Sequence, residues 1–210
     1  MRNRRKLTDQ EQFWAGSFGS EYTERNSSDK QRADAMQALA IEIRNATRPI
    51  NTVLELGANS GLNIAALQHL LPNADFTGVE INNVAAEQLK MTGAKVHNVS
   101  LFDFEAKQKY DLVLIRGVLI HLNPDMLEAA YAKIAETSKK YVLIAEYYSP
   151  VPVALKYRNV EDRLFKRDFA GEFMKAQGEF KLRDYGFHYR HGHYFGDDLT
   201  WFLLERISST

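Results

Sequence analysis

The sequence predicts a single α/β domain with a seven-stranded, mostly parallel sheet, an antiparallel last strand and an N-terminal helical cap. Three observations lead there. Between Thr52 and Tyr147 short apolar runs alternate with helical stretches, the pattern of βαβ units on a parallel sheet. The chain then closes with two apolar-aromatic runs separated by a loop containing two glycines, which reads as an antiparallel hairpin. Its 210 residues suit one domain that buries roughly 70% of its unfolded surface.

Residues 1–30 are charged and rich in Asn, Ser and Gly, yet carry Phe13, Trp14, Phe18 and Tyr22, aromatics that need a surface to rest on. From Asp29 to Asn45 the apolar residues Ala35, Leu39, Ile41 and Ile43 fall at helical spacing, and Pro49 ends the segment. Residues 1–50 thus form a helical arm or lid, and residues 51–210 the body of the same domain. Strands are expected at Thr52–Leu56, Asp75–Glu80, Lys95–Val99, Tyr110–Arg116 and Tyr141–Tyr147. Helices fall between them at Leu62–Leu71, Asn83–Met91 and Asp125–Thr137; Pro72 closes the first, and Asn123-Pro124 opens the last with proline at a first helical position. Beyond Pro150 and Pro152 the charged stretch Tyr157–Gln177 reads as helix, and the hairpin follows as Phe180–Tyr189 and Leu199–Ile207.

Composition narrows the chemistry. There is no cysteine, which removes disulfides, thiolate metal sites, iron–sulfur clusters and a catalytic thiol, and points to the reducing cytoplasm. The 27 basic residues balance the 27 acidic ones, so a general nucleic-acid or anionic-membrane binder is not expected; the expected partner is a small molecule. The opening MRNRRK leads into polar residues instead of an apolar core, so it reads as a basic tail and not as a secretory signal. His188, His191 and His193, with Asp197 and Asp198, read as a solvated hairpin loop and no metal is expected.

The most informative string is VLELGANSGLN, Val53–Asn63, an apolar strand that runs through Gly57, Ala58 and Gly61 directly into a helix. Glycines at such a turn let the backbone pass close to a ligand, and the helix start offers unpaired amide donors. Glu80 ends the next strand, where a carboxylate can accept both hydroxyls of an adenosine ribose. A dinucleotide site wants G-x-G-x-x-G, but Asn59 and Leu62 stand at its second and third glycines.

The arrangement E-x-G-x-x-x-G instead resembles motif I of class I S-adenosylmethionine (SAM) methyltransferases, a Rossmann-like family. That resemblance implies that Glu55 helps place the cofactor's ammonium, that Gly57, Ala58 and Gly61 lie along the cofactor, and that Glu80 with Ile81 holds the ribose. Ser100 and Leu101 follow the third strand, where such enzymes enclose the adenine; many members carry an acid there. YDLVLIRGVLIHL, Tyr110–Leu122, resembles their fourth strand and the loop beside the sulfonium, which places Arg116 and Gly117 at the cofactor. The strings FWAGSFGSEYTERN, KQKYDLVLIRGVLIHLNPD, IAEYYSPVPV, FKRDFAGEF and GDDLTWFLLER resemble more closely the pseudaminic acid biosynthesis-associated methylases, over nearly the whole chain.

The resemblance implies methyl transfer from SAM to a small polar acceptor, a nonulosonic sugar or its derivative. On such a fold the loops after the fourth and fifth strands share the cofactor edge, which makes His121, Tyr147 and Tyr148 the catalytic candidates, with Glu146 beside the acceptor. Trp14 and Tyr22 would cover the sulfonium, and Arg25 would pair with the cofactor carboxylate. Arg167, with Asp168 next to it, would meet an acidic acceptor. Two other uses of the same site stay open: transfer or cyclisation of another sulfonium carbon with release of methylthioadenosine, and a SAM-binding module without turnover.

Overall fold

A computed structural model describes the chain except residues 1–4, 26–28, 158–159, 193–196 and 208–210. Three helices precede the sheet: α1 (Asp9–Ala15), α2 (Ser17–Arg25) and α3 (Asp29–Glu42). There follow β1 (Thr52–Leu56), α4 (Leu62–Leu70), β2 (Asp75–Val79), α5 (Asn83–Lys90), β3 (Lys95–His97), β4 (Tyr110–Arg116), α6 (Leu127–Thr137) and β5 (Ser138–Glu146). The last part holds β6 (Val153–Tyr157), β7 (Val160–Lys166), α7 (Phe169–Gln177), β8 (Phe180–His188) and β9 (Leu199–Arg206).

The main sheet has the order β3-β2-β1-β4-β5-β9-β8. Its first five strands are parallel, and β9 runs antiparallel to both of its neighbours. The seven-stranded, mostly parallel sheet expected from the sequence is therefore present. Because side chains alternate across a strand, the sheet feeds two cores. Leu112, Leu114, Tyr141, Leu143, Trp201 and Leu203 pack with Leu39 of α3 and with Ile64 and Leu67 of α4. Val113, Ile115, Val142, Ile144 and Leu204 pack on the opposite face, with Tyr131 and Ile134 of α6 and Phe173 of α7. Burial on both faces explains why these strands read as continuous apolar runs.

One segment departs from the expectation. Residues 157–177 do not form one helix, because β6 and β7 pair as an antiparallel hairpin, with Val153 opposite Lys166 and Ala154 opposite Phe165. The helix begins only where the Asp168 side chain accepts the Gly171 N–H at 2.9 Å. Asp168 is thus the N-cap of α7, and the cap sets the boundary between extended and helical backbone. Leu164 and Phe165 are buried, and β7 lies against the short 3-10 turn Leu119–His121.

Gly186 of β8 faces Trp201 of β9 across the register. A Cβ at position 186 would lie 2.6 Å from Trp201 Cζ2 and 2.8 Å from its indole nitrogen. Trp201 is 2% exposed and has no room to retreat. Gly186→Val is therefore expected to cost about 1–3 kcal/mol of stability through overpacking, read as a lower urea midpoint, whereas Lys181→Ala on the exposed part of the same strand should leave the midpoint nearly unchanged.

Candidate functional site

The carboxyl ends of β1, β2, β4 and β5 open into one cavity of about 750 Å³, roofed by α1–α3 and bounded on the far side by the β8–β9 loop. In open α/β sheets ligands bind at this edge, where the connections leave room between diverging loops. The volume falls within the ~300–1,000 Å³ usual for small-molecule sites.

The glycine turn forms its floor. The N–H groups of Gly57 and Ala58 both donate to the Val79 carbonyl, at 2.8 and 3.0 Å, which binds the turn to β2. Gly57 has φ +77°, and a Cβ there would sit 2.5 Å from Val118 Cγ2. Glycine is required on both counts. Glu80, just past β2, accepts the backbone N–H of Asn59 at 2.8 Å and of Asn82 at 2.7 Å. Burial pushes the Glu80 carboxyl up from its ordinary range, while these backbone donors pull it back. With about four lone-pair sites, Glu80 keeps acceptor capacity for a ligand hydroxyl.

Beside this floor stands a set of buried acids. Glu55 accepts from Asn63 Nδ2 at 2.7 Å, and burial drives its carboxyl to about 8. Glu146 accepts the Val118 and Leu119 N–H groups at 2.9 and 2.8 Å through one oxygen, which fixes the turn that carries His121; burial raises its carboxyl to about 8 as well. Glu42 of α3 is fully buried. Burial opposes its ionisation, but the Arg116 charge and the His188 hydrogen bond outweigh that and hold its carboxyl below the ordinary value.

The arm closes the cavity. Thr8 and Glu11 form a reciprocal capping box at the start of α1. Glu11 also accepts from Arg5 at 2.5 and 2.8 Å and from Ser100 Oγ at 2.5 Å. Burial alone would raise the Glu11 carboxyl, yet the Arg5 and Ser100 bonds bring it to about 2. Asn82 Nδ2 donates to the Trp14 and Gly16 carbonyls, both at 3.1 Å, while its Oδ1 caps α5. Trp14 lies edge-on to Phe18 and Tyr22, and its ring is 4.6 Å from that of His121.

Of the residues singled out in the sequence, the cavity brings together Trp14, Tyr22, Gly57, Ala58, Glu80, Ile81, Ser100, Leu101, Arg116, Gly117, His121 and Tyr147. Others lie elsewhere. Glu55 and Glu146 sit behind the wall, and Gly61 packs at the start of α4 against Leu89 and Thr92. Arg25 is exposed and faces Glu21 at 3.7 Å. Tyr148 is 44% exposed on the outer sheet face near Phe202. Arg167 Nε donates to Glu172 at 2.8 Å, and Asp168 caps α7, so neither side chain is directed at the cavity.

The cavity also contains groups that the sequence did not announce. Glu11 had a readable signal in its T-x-x-E capping box, and Asn82 in its N-cap position. Asp34 of α3, His188, Arg190 and Asp197 had none pointing to this site. Tyr147 donates its phenol hydrogen to Asp197, with the Lys166 ammonium 5.2 Å above its ring. His188, considered above for a metal, bonds to Glu42, and no group of three or more metal-ligating side chains occurs among the described residues. His193 and the first residues of the basic tail lie outside the described residues. No described helix is long and apolar enough to cross a membrane.

Comparison with known proteins fits this geometry. Residues 54–140 match the methyltransferase domain family. No curated protein sequence matches the chain significantly. Among solved structures, the chain is similar to 1,6-didemethyltoxoflavin-N1-methyltransferase of Burkholderia thailandensis, bound to 1,6-didemethyltoxoflavin and S-adenosylhomocysteine. The TM-score is 0.73 and the identity 17%, over 98% of this chain and 94% of that one. It is also similar to magnesium protoporphyrin IX methyltransferase of Synechocystis PCC 6803 with bound SAM, at TM-score 0.70 and 12% identity, over 97% and 100% of the two chains. A plantazolicin methyltransferase in complex with S-adenosylhomocysteine gives TM-score 0.67 and 13% identity, over 95% and 94%. Residues 54–140 thus match a methyltransferase domain, and these similar structures hold SAM or S-adenosylhomocysteine.

The buried carboxyl of Glu146 makes the stability of the fold depend on pH. Its folded value lies above its unfolded one, so its contribution is complete below about pH 4.5 and is lost as pH rises toward 8. Glu146→Gln keeps a carbonyl for the Val118 and Leu119 N–H groups but cannot ionise. Thermal melts from pH 5.5 to 8.5 should show the wild-type Tm falling more steeply than that of the variant, by the equivalent of a few kcal/mol. Parallel curves would show that Glu146 is already ionised in the folded protein.

Proposed function

We propose that the protein transfers the methyl group of SAM to a small polar acceptor in the cytoplasm, and that the acceptor is a nonulosonic, pseudaminic-type sugar or a derivative of one. The observation that carries the reading is the meeting, in one cavity, of the Gly57 turn, the Glu80 carboxylate and the Arg116-Gly117 loop at the carboxyl ends of three adjacent strands. A nucleoside fits there: Glu80 accepts from ribose hydroxyls, the Gly57 turn borders the cavity, and Ser100 and Leu101 border the base.

When bound, SAM supplies an electrophilic methyl on a sulfonium, so the protein's tasks are alignment and exclusion of water. Trp14 and Tyr22 roof the cavity, and their ring faces favour a cation. His121, held on the Glu146-anchored turn, has the intrinsic pKa to take a proton from an acceptor hydroxyl. Tyr147, oriented by Asp197, stands at the acceptor side. The named substrates of the similar structures, a porphyrin, a toxoflavin precursor and plantazolicin, differ greatly from one another. Acceptor choice is therefore assigned to the parts outside residues 54–140, where Asp34, Arg190 and Asp197 present polar groups that suit a polyhydroxylated molecule.

Calorimetric titration with S-adenosylhomocysteine tests the cofactor half. Wild-type protein should bind it, and Glu80→Ala should weaken binding roughly 10- to 100-fold, the cost of losing charge-assisted hydrogen bonds. In turnover assays with SAM and nonulosonic acids or their nucleotide derivatives, methylated sugar and S-adenosylhomocysteine are the expected products. His121→Asn should lower kcat while leaving cofactor affinity within about twofold, since the ring touches the acceptor side. Methylthioadenosine as the product would move the transfer to another carbon of the sulfonium.

A further inference from the structure

Arg116 ends β4 and lines the cavity, yet only part of its guanidinium is engaged. Nη1 donates to both oxygens of Glu42, at 2.6 and 2.8 Å, and among the described residues Nε and Nη2 make no hydrogen bond. A guanidinium presents five N–H donors in a rigid fork matched to carboxylates. Arg116 thus has a fixed side and an open one, and the fixed side is anchored deeply. Glu42 is 0% exposed, and its Oε1 lies 2.8 Å from Nε2 of His188, itself 6% exposed at the end of β8.

Position decides what the open side meets. Glu80, Gly57 and Arg116 stand at the ends of β2, β1 and β4, which are consecutive in the sheet. Glu80 and Arg116 are therefore about two strand spacings, or ~10 Å, apart. A nucleoside with its ribose at Glu80 and its 5′ substituent over Gly57 would reach Arg116. Arg25, which the resemblance would pair with the cofactor carboxylate, faces Glu21 on the surface.

We propose that the open edge of Arg116 binds the carboxylate of the cofactor's amino acid arm, and that Glu42 and His188 are positioning residues that hold the guanidinium in place. The assignment rests on the SAM reading above. It makes α3 and β8, both outside residues 54–140, part of the cofactor site. Glu42 fixes the fork by offering two acceptors to one nitrogen; an amide in its place offers one acceptor and turns an N–H₂ toward the cation. Loss of orientation is then the dominant effect of Glu42→Gln.

The test compares S-adenosylhomocysteine with 5′-methylthioadenosine, which shares its nucleoside and thioether but lacks the amino acid arm. Calorimetry on wild-type protein should show the former bound at least roughly tenfold more tightly, as a charge-assisted contact implies. Glu42→Gln should weaken S-adenosylhomocysteine by roughly tenfold and leave methylthioadenosine within about twofold. Should that variant fail to fold, His188→Phe removes the outer hydrogen bond to Glu42 and should reduce the preference roughly threefold. An unchanged preference in the variants, or equal weakening of both ligands, overturns the proposal. Wild-type protein that binds methylthioadenosine as tightly as S-adenosylhomocysteine also overturns it while the nucleoside site stands; wild-type protein that binds neither overturns the cofactor reading itself.

Discussion

The Arg116–Glu42 ion pair is the interaction on which the site depends. Four carboxyl groups, those of Glu42, Glu55, Glu80 and Glu146, are buried where the parallel strands end. An isolated buried carboxylate is costly, so each group must be paired, hydrogen-bonded or neutral. Arg116 supplies the nearby cation. It bonds to Glu42 directly, and its field also favours the ionised forms of Glu55 and Glu146. Replacing Arg116 would leave Glu42 with only His188 as a partner among the described residues, and α3 would lose this polar attachment to β4.

That attachment explains why the arm belongs to the site instead of merely covering it. The helix α3 packs Leu39 into one core while its last residue, Glu42, reaches Arg116, so apolar and ionic contacts fix it in the same place. At the opposite end of the cavity, Glu11 of α1 joins Arg5 to Ser100, and between them Asn82 ties the α1 end to α5. Residues 54–140 thus supply the floor, and the N-terminal and C-terminal parts outside them supply the roof and far wall.

The sheet was legible because strands buried on both faces read as apolar runs, and the glycine turn because a positive φ and a close approach at Gly57 allow no other residue. The β6–β7 hairpin was not: its alternation is filled with Lys, Glu, Asp and Arg, which read equally well as a solvated helix. In the site, residues positioned by the backbone of the sheet, Glu80 and Gly117 among them, followed from their place at strand ends. Long charged side chains did not. Arg25 and Arg167 found carboxylates four and five residues away, Glu21 and Glu172. Glu42 and His188 meet across 146 residues, and no local pattern announces such a pair. Tyr147 and Tyr148 are adjacent just past the end of β5, but one lines the cavity and the other is exposed.

A crystal structure of the protein with S-adenosylhomocysteine tests the central claim most directly. Expected are the ribose hydroxyls on Glu80, the thioether above Gly57 and beside Gly117, and the amino acid carboxylate on the open edge of Arg116, with the Arg116–Glu42 pair intact. A ligand bound away from these strand ends, or one laid in the reverse direction with its carboxylate at Ser100, would contradict it.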